Sequence, residues 1–457
     1  MRTTSGRDLL VGLDVGTTSS KAVVFGTDGG PLATGRAATA WRQVALPGGG
    51  TGTELDAAGL AAGARAAVAE ALERVPEGRV VGLGVTSMAE SGVLLDARGE
   101  PAAPVIAWHD QRDLDEVARL ADQIGEARFG ERTGLPLRSQ WTLTKYRWQR
   151  DRADVSRATR RLNIAEWVVK ALGGDEASDA SLASRTGWLD LSARAWWTEA
   201  LDWSGAPVSL LPPLVTSGTA LGRAPGSLGI ERLTGAVLTT AGQDHQAAAV
   251  GAGAAGPGDQ LDSSGTAEAL VRTVRAGFPA EGVARLTRDG ITVGWHVLDD
   301  RWSLLGATQG GLALERVAAL FGGGREVVAR LDAAALGEPS GDVTVRVDET
   351  ATVTIADLRD GVTAGDVWRA AVQAITDQIG AVDAQMTSVA GPHRLTVVAG
   401  GWSHSAPVMA AKRRLFGDLV RSDVEEAGAR GAALLGGLAA GVFETPASFP
   451  TGRDQAG

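Results

Sequence analysis

The stretch GLDVGTTSSKAVVFGTDG, residues 12–29, sets a carboxylate, Asp14, directly ahead of a loop of Gly16, Thr17, Thr18 and Ser19, with Lys21 just beyond. Successive backbone N–H groups in a tight turn of this kind can converge on one concavity and bind phosphate oxygens, and the hydroxyls add donors. A carboxylate beside a phosphate is repulsive unless a cation lies between them. Mg²⁺ suits that place, because it keeps much of its hydration shell and is held by one or two carboxylates plus substrate phosphates. A plain solvated hairpin is the competing reading. A second hydroxyl-rich turn lies in DQLDSSGTAEALV (259–271), where Asp262, Gly265 and Thr266 echo Asp14, Gly16 and Thr17. Each turn alone is an ordinary connection; two of them facing each other across a cleft could grip one triphosphate. A third element, RLTVVAGGWSHSAPVMAAKRRLFG (394–417), places Gly400 and Gly401 between an apolar strand and a helix capped by Ser403 or Ser405, which lets a flat ring or ribose approach the backbone.

The elements that must position these residues follow from local patterning. Residues 8–13 and 20–25 are β-rich runs flanking the first turn, and Thr27 to Gly30 make a second turn, so a hairpin opens a sheet. Asp56 caps a helix reaching about Arg74, because Leu60, Ala64, Ala67, Val68 and Leu72 recur at helical spacing. Strands are expected over 80–87, 92–96 and 104–108, and helices near 113–126, 141–150 and 163–172. The repeated strand–turn–strand order suggests two similarly built halves.

Composition narrows the chemistry. With 457 residues and 44% hydrophobic content the chain can bury two or three domain cores. Net charge is −10, from 44 Lys+Arg against 54 Asp+Glu, which argues against nucleic acid or an anionic membrane as the main partner. There is no cysteine and only 5 histidines, so thiolate and zinc chemistry are disfavoured and carboxylates, hydroxyls and backbone remain. No apolar run reads as a signal peptide or reaches the ~18 residues of a membrane span, and a cytoplasmic protein is expected. The GxGxxG at Gly251, Gly253 and Gly256 follows a helix and precedes Pro257, the reverse of a dinucleotide fold's strand–loop–helix order, and no GxxxxGK[ST] occurs. His109 and His245 lack metal-ligand spacing. Trp188, Trp196, Trp197 and Trp203 read as helix packing rather than a sugar platform.

DxGTTSxK at the N-terminus, GxD at Gly242 to Asp244, the Gly-Thr turn at 265–266 and the late GG before a helix resemble the FGGY carbohydrate kinases of the actin-like ATPase superfold. The resemblance runs along nearly the whole chain, through VLLDARGEPAAPVIAWHDQRD (93–113), TGLPLRSQWTLTKYRW (133–148) and EEAGARGAALLGGLAAG (425–441). It implies an α/β protein of two actin-like ATPase (ribonuclease H-like) domains, 1–243 and 244–457, with mixed sheets flanked by helices and the active site in the interdomain cleft. It also implies ATP and Mg²⁺ acting with a small sugar or polyol, and leaves a homodimer open. Carried over by position, Asp14 binds magnesium through water, while Thr17, Thr18 and Lys21 form the first phosphate loop and Gly265 and Thr266 the second. Gly310, Gly311, Gly400 and Gly401 line the nucleotide site. Asp244 matches the general base, a role that suits phosphoryl transfer, where the attacking hydroxyl needs a proton acceptor; as an isolated residue it also reads as a helix cap. Glu90, Trp108, Asp110, Gln140 and Gln243 are the expected acceptor-side residues.

Two departures qualify the resemblance. Ala89 precedes Glu90 where members often carry a basic or histidine residue, and Gln140 stands where glycerol kinases have tyrosine, so glycerol is disfavoured as substrate. The family's proline-rich stretch is replaced by GEPSGDVTVRVDETATVTIADLRDG (337–361), and the pattern is lost across 325–365. The expected activity is transfer of the γ-phosphoryl group of ATP to a sugar hydroxyl. The alternative is an actin-like nucleotide clamp or sugar sensor without productive transfer.

Overall fold

The computed structural model describes residues 7–47, 49–153 and 155–451. The chain forms two compact units, one of Met1–Gly251, Arg275–Ser303 and Glu426–Gly457, the other of Ala252–Val274 and Leu304–Glu425. In the first, β1 (Asp8–Val15), β2 (Ser19–Gly26), β3 (Pro31–Ala38), β4 (Arg79–Ser87) and β5 (Val237–Gln243) make a mixed sheet in the order β5-β4-β1-β2-β3. The β1–β2 and β2–β3 pairs are antiparallel, whereas β1–β4 and β4–β5 are parallel.

Alternation along β1 decides what each face does. Leu9, Val11, Leu13 and Val15 enter a core that includes the helix Ala57–Glu73. Asp56 caps that helix as expected, accepting from the N–H groups of Ala58 and Gly59 at 3.2 and 3.1 Å. The opposite face carries Leu10, Gly12 and Asp14 beneath the helix Ala427–Ala439. There the sheet is made of glycine: a Cβ on Gly12 would lie 1.7 Å from the Ala429 carbonyl oxygen, and one on Gly84 2.0 Å from that of Ala432. The first turn of the same helix reaches Asp14, since a Cβ on Gly428 would stand 2.6 Å from Asp14 Oδ2.

The strands β6 (Asp259–Ser264), β7 (Glu268–Arg275), β8 (Arg301–Thr308), β9 (Leu395–Ala399) and β10 (Leu419–Arg421), which apart from Arg275 and Arg301–Ser303 belong to the second unit, lie in the order β8-β7-β6-β9-β10. The β6–β7 hairpin is antiparallel and β6–β9 parallel. The stretch where the family pattern fades holds an antiparallel hairpin, Thr344–Val347 against Val353–Ala356, packed beside the long helix Ala364–Ala390. Trp188 and Trp197 are core residues with Trp196 and Trp203 packed against them, as their sequence context suggested. Among the described residues no helix is long and apolar enough to cross a membrane.

Candidate active site

The first turn joins β1 to β2, and its hydrogen bonds sort donors from acceptors. Its carbonyls are taken: Gly16 C=O by Thr39 Oγ1 (3.0 Å), Thr17 C=O by Trp41 Nε1 (2.7 Å), Thr18 C=O by the Thr39 N–H (3.0 Å) and Ser19 C=O by the Gly16 N–H (3.0 Å). The N–H groups of Thr17 and Thr18 have no hydrogen-bond partner among the described residues. A turn with its acceptors closed off and its donors open can receive an anion. Lys21, cross-strand from Asp14, forms an ion pair with Glu426.

Asp14 is half-buried and takes no hydrogen bond from the described residues. Burial, reinforced by repulsion from Asp244, pushes its carboxyl up to about 7 against the pull of Lys21. Asp244 opens the helix Asp244–Gly251 at the end of β5. Gly242 makes the junction possible, with φ +69° and a Cβ position 2.1 Å from Ser181 Oγ. Asp244 Oδ1 is held by Gln243 Nε2 at 2.6 Å and by the backbone N and Nδ1 of His245, both at 2.8 Å. No described donor reaches Oδ2. Burial raises the Asp244 pKa, but His245 outweighs it and holds the group below the ordinary carboxylate range. The reciprocal effect lifts His245 above its usual value despite burial.

Beside this pair stands Glu90, buried and in the left-handed region at φ +66°, where a non-glycine residue costs about 1–3 kcal/mol. Thr142 Oγ1 donates to its carbonyl at 2.7 Å, and Arg185 forms an ion pair with Oε1 at 2.7 Å while donating to Thr292 Oγ1, also at 2.7 Å. Gln140 Nε2 lies 3.4 Å from the same oxygen. The charge of Arg185 also acts on Asp244, which puts Glu90, Arg185 and Asp244 in one electrostatic neighbourhood. Asp110 is fully engaged: Arg112 binds both its oxygens and the Thr53 N–H donates to Oδ2 at 2.5 Å. Gln243 is buried and bridges, donating to Asp244 while accepting from the Gln246 N–H at 3.1 Å. Trp108 donates its indole N–H to Thr17 Oγ1 at 3.1 Å.

In the second unit the three glycine signals converge. A Cβ on Gly311 would stand 1.8 Å from the Gly265 carbonyl oxygen, and one on Gly400, at φ +94°, 2.5 Å from that of Ser264. One on Gly310 would stand 2.8 Å from Glu268 Oε2, whereas Gly401 faces open space. The Leu312 N–H ties down the Thr266 carbonyl at 2.8 Å. Asp262, the echo of Asp14, is placed differently: it is buried and paired with Lys412, whose Nζ lies 2.5 Å from Asp262 Oδ2 and from Glu268 Oε1 and 3.1 Å from Ser264 Oγ. Burial beside Asp262 raises the Glu268 pKa even with Lys412 in contact. Neither Ser403 nor Ser405 caps with its side chain; residues 401–404 form a 3₁₀ turn, and Ser405 Oγ donates to Asp332 at 3.0 Å.

Sequence reasoning passed over Arg185, Glu426, Trp41 and Lys412. Arg185 and Trp41 sit in no motif, Glu426 and Lys412 lie inside the quoted stretches 425–441 and 394–417 without being singled out there, and each meets the site only through a long-range contact.

Residues 9–251 match the model of the FGGY family of carbohydrate kinases, N-terminal domain. A xylulose kinase of Streptomyces coelicolor is 30% identical over 425 residues, covering 90% of this chain and 83% of the relative. A glycerol kinase of Rhizorhabdus wittichii is 30% identical over 465 residues, covering 94% and 88%. The crystal structure of a xylulose kinase from Rhodospirillum rubrum superposes with a TM-score of 0.84 at 24% identity, over 97% of this chain and 93% of that one. The chain belongs to the FGGY family of carbohydrate kinases, phosphotransferases with an alcohol acceptor, and has the two-domain actin-like ATPase fold.

Proposed function

We propose that the protein transfers the γ-phosphoryl group of ATP to a hydroxyl of a small sugar or polyol, with Asp244 as general base. The observation that carries this reading is the division of labour within Asp244: Oδ1 takes three hydrogen bonds and is fixed, while Oδ2 is left without a donor on a group held ionised. A proton acceptor needs both fixed geometry and a free lone pair. Thr17, Thr18 and Lys21 take phosphate oxygens at the first turn, and Gly265 and Thr266 at the second. Gly310, Gly311, Gly400 and Gly401 serve the nucleotide. Glu90, Gln140 and Trp108 meet the acceptor; Asp110 and Gln243, whose polar atoms are already engaged, act by holding their neighbours.

Magnesium fits Asp14. That carboxylate is half-buried without a hydrogen-bond donor and lies in the field of Asp244 and Glu426, an excess of negative charge that a hydrated cation relieves. Among the described residues no group of three or more His, Asp or Glu is set to hold a metal directly, so Asp14 is expected to act with waters and phosphate oxygens. Bound there, the ion neutralises charge on the triphosphate.

ADP release measured across pentoses, hexoses, ketoses, polyols and sugar acids tests the reading, with turnover expected only when Mg²⁺ and an acceptor are both present. Equal turnover in excess chelator defeats it. Glycerol is expected to be a poor acceptor because Ala89 and Gln140 offer it fewer partners, each lost hydrogen bond costing about 1–3 kcal/mol. The highest kcat/KM of the panel for glycerol would show that those two positions do not set specificity.

A further inference from the structure

Two tryptophans grip the residue at the centre of the first turn. Trp41 Nε1 donates to the Thr17 carbonyl at 2.7 Å, and Trp108 Nε1 to its hydroxyl oxygen at 3.1 Å. The His109 ring stands edge-on to both indoles, with centroids 6.1 and 5.3 Å away. An indole N–H only donates, so Thr17 Oγ1 must accept and its own hydrogen is left to give. Among the described residues its one acceptor is Met88 Sδ at 3.8 Å, a thioether and therefore a weak one. The Thr17 N–H is open as well. Thr17 thus presents two donors whose direction is set by the aromatic pair behind it.

We infer that Trp108 is a positioning residue that couples acceptor occupancy to nucleotide binding through the Thr17 hydroxyl. The inference rests on the proposed kinase reading and goes beyond it. Trp108 is half-buried, and a sugar packed against its exposed face immobilises the indole. With the indole fixed, Thr17 Oγ1 stays an acceptor toward Nε1 and a donor toward a phosphate oxygen. Reciprocity follows: whatever factor the acceptor adds to ATP affinity, ATP adds to acceptor affinity. A tryptophan that served only as a sugar platform would leave ATP binding untouched.

The test is a double-mutant cycle on the full-length enzyme, read as KM for ATP at saturating Mg²⁺ and saturating best acceptor from the panel. Trp108→Phe keeps an aromatic face and removes the N–H; Thr17→Val keeps the shape and removes the hydroxyl. Each single change is expected to raise KM for ATP by about 3- to 10-fold, the range of one hydrogen bond. The double variant is expected to be no worse than the poorer single, and Thr17→Ser, which keeps the hydroxyl, to raise KM for ATP less than Thr17→Val does. Multiplicative effects, or a Trp108→Phe enzyme altered only in acceptor KM, overturn the inference. If thermal melts show that Trp108→Phe does not fold, calorimetric affinity for a non-hydrolysable ATP analogue, measured with and without the best acceptor, decides: tighter binding with acceptor in wild type that is lost in Thr17→Val supports the inference, and an affinity the acceptor leaves unchanged in wild type overturns it. Failure of the kinase reading itself would show separately, as a wild-type enzyme that turns over no acceptor.

Discussion

The two oxygens of Asp244 stand in different surroundings, an arrangement that leaves room for both the helix-start and the base readings of its sequence context. Oδ1 bonds to the start of its own helix, while Oδ2 takes no described donor. Asp244→Asn keeps the size and replaces the proton acceptor with an amide. Single-turnover rates with the best sugar should fall about 10²- to 10⁴-fold, with calorimetric affinities for ATP and sugar little changed. A near-wild-type rate would remove the general base from the proposal. Asp14→Ala addresses the neighbouring carboxylate, which lacks any described hydrogen bond and is expected to work through a hydrated cation. Its signature should be a higher Mg²⁺ concentration for half-maximal rate, and a rate loss with unaltered Mg²⁺ dependence would argue for another role.

At the scale of elements, glycine does two separable jobs. Gly12 and Gly84 let the helix Ala427–Ala439 sit against β1 and β4, and Gly311 lets its helix touch the second turn. Those glycines are demanded by the chain itself. Gly401 is different, since a Cβ there meets no atom within 4 Å. Gly401→Ala should therefore melt like wild type yet raise KM for ATP roughly tenfold, because the open space is proposed to be filled by the nucleotide. Gly311→Ala pushes a methyl group into the Gly265 carbonyl and should displace the turn, lowering kcat/KM for ATP by about 10²-fold together with some loss of thermal stability. Equal behaviour of the two variants would contradict the distinction.

For the whole molecule, pH and stability are linked through a buried histidine that is not among the proposed site residues. His296 is buried, and its Nδ1 accepts from the Leu298 N–H at 3.0 Å, which protonation would abolish. Burial, aided by Arg301, depresses its pKa from 6.5 to about 3. The unfolded chain therefore binds a proton near pH 6.5 that the native state refuses. Stability from this site is complete above that pH and declines as pH falls toward 3, at up to about 1.4 kcal/mol per unit. Denaturant titrations at pH 7.5, 6, 5 and 4 should show a shallower decline for His296→Gln than for wild type, and parallel curves would exclude the site.

The motif residues, their order and the opening hairpin were legible in sequence, because turns, caps and alternating strands depend on neighbours a few residues apart. The echo of Asp14 in Asp262 was legible too, yet the two aspartates differ in their surroundings. The Asp14 carboxylate is left without a described donor, while Asp262 is paired through Oδ2 with Lys412, a residue on the helix Ala406–Phe416, and keeps Oδ1 buried without a described partner. The same limit applied to Asp110, an expected acceptor-side carboxylate, whose bonds to Arg112 and the Thr53 N–H its sequence context does not show. Sequence by itself determined which residue types were available for phosphate, metal and base. Tertiary structure decided which of them remain free, because hydrogen bonds and ion pairs from distant segments saturate some polar groups and leave others open, and that saturation has no local signature.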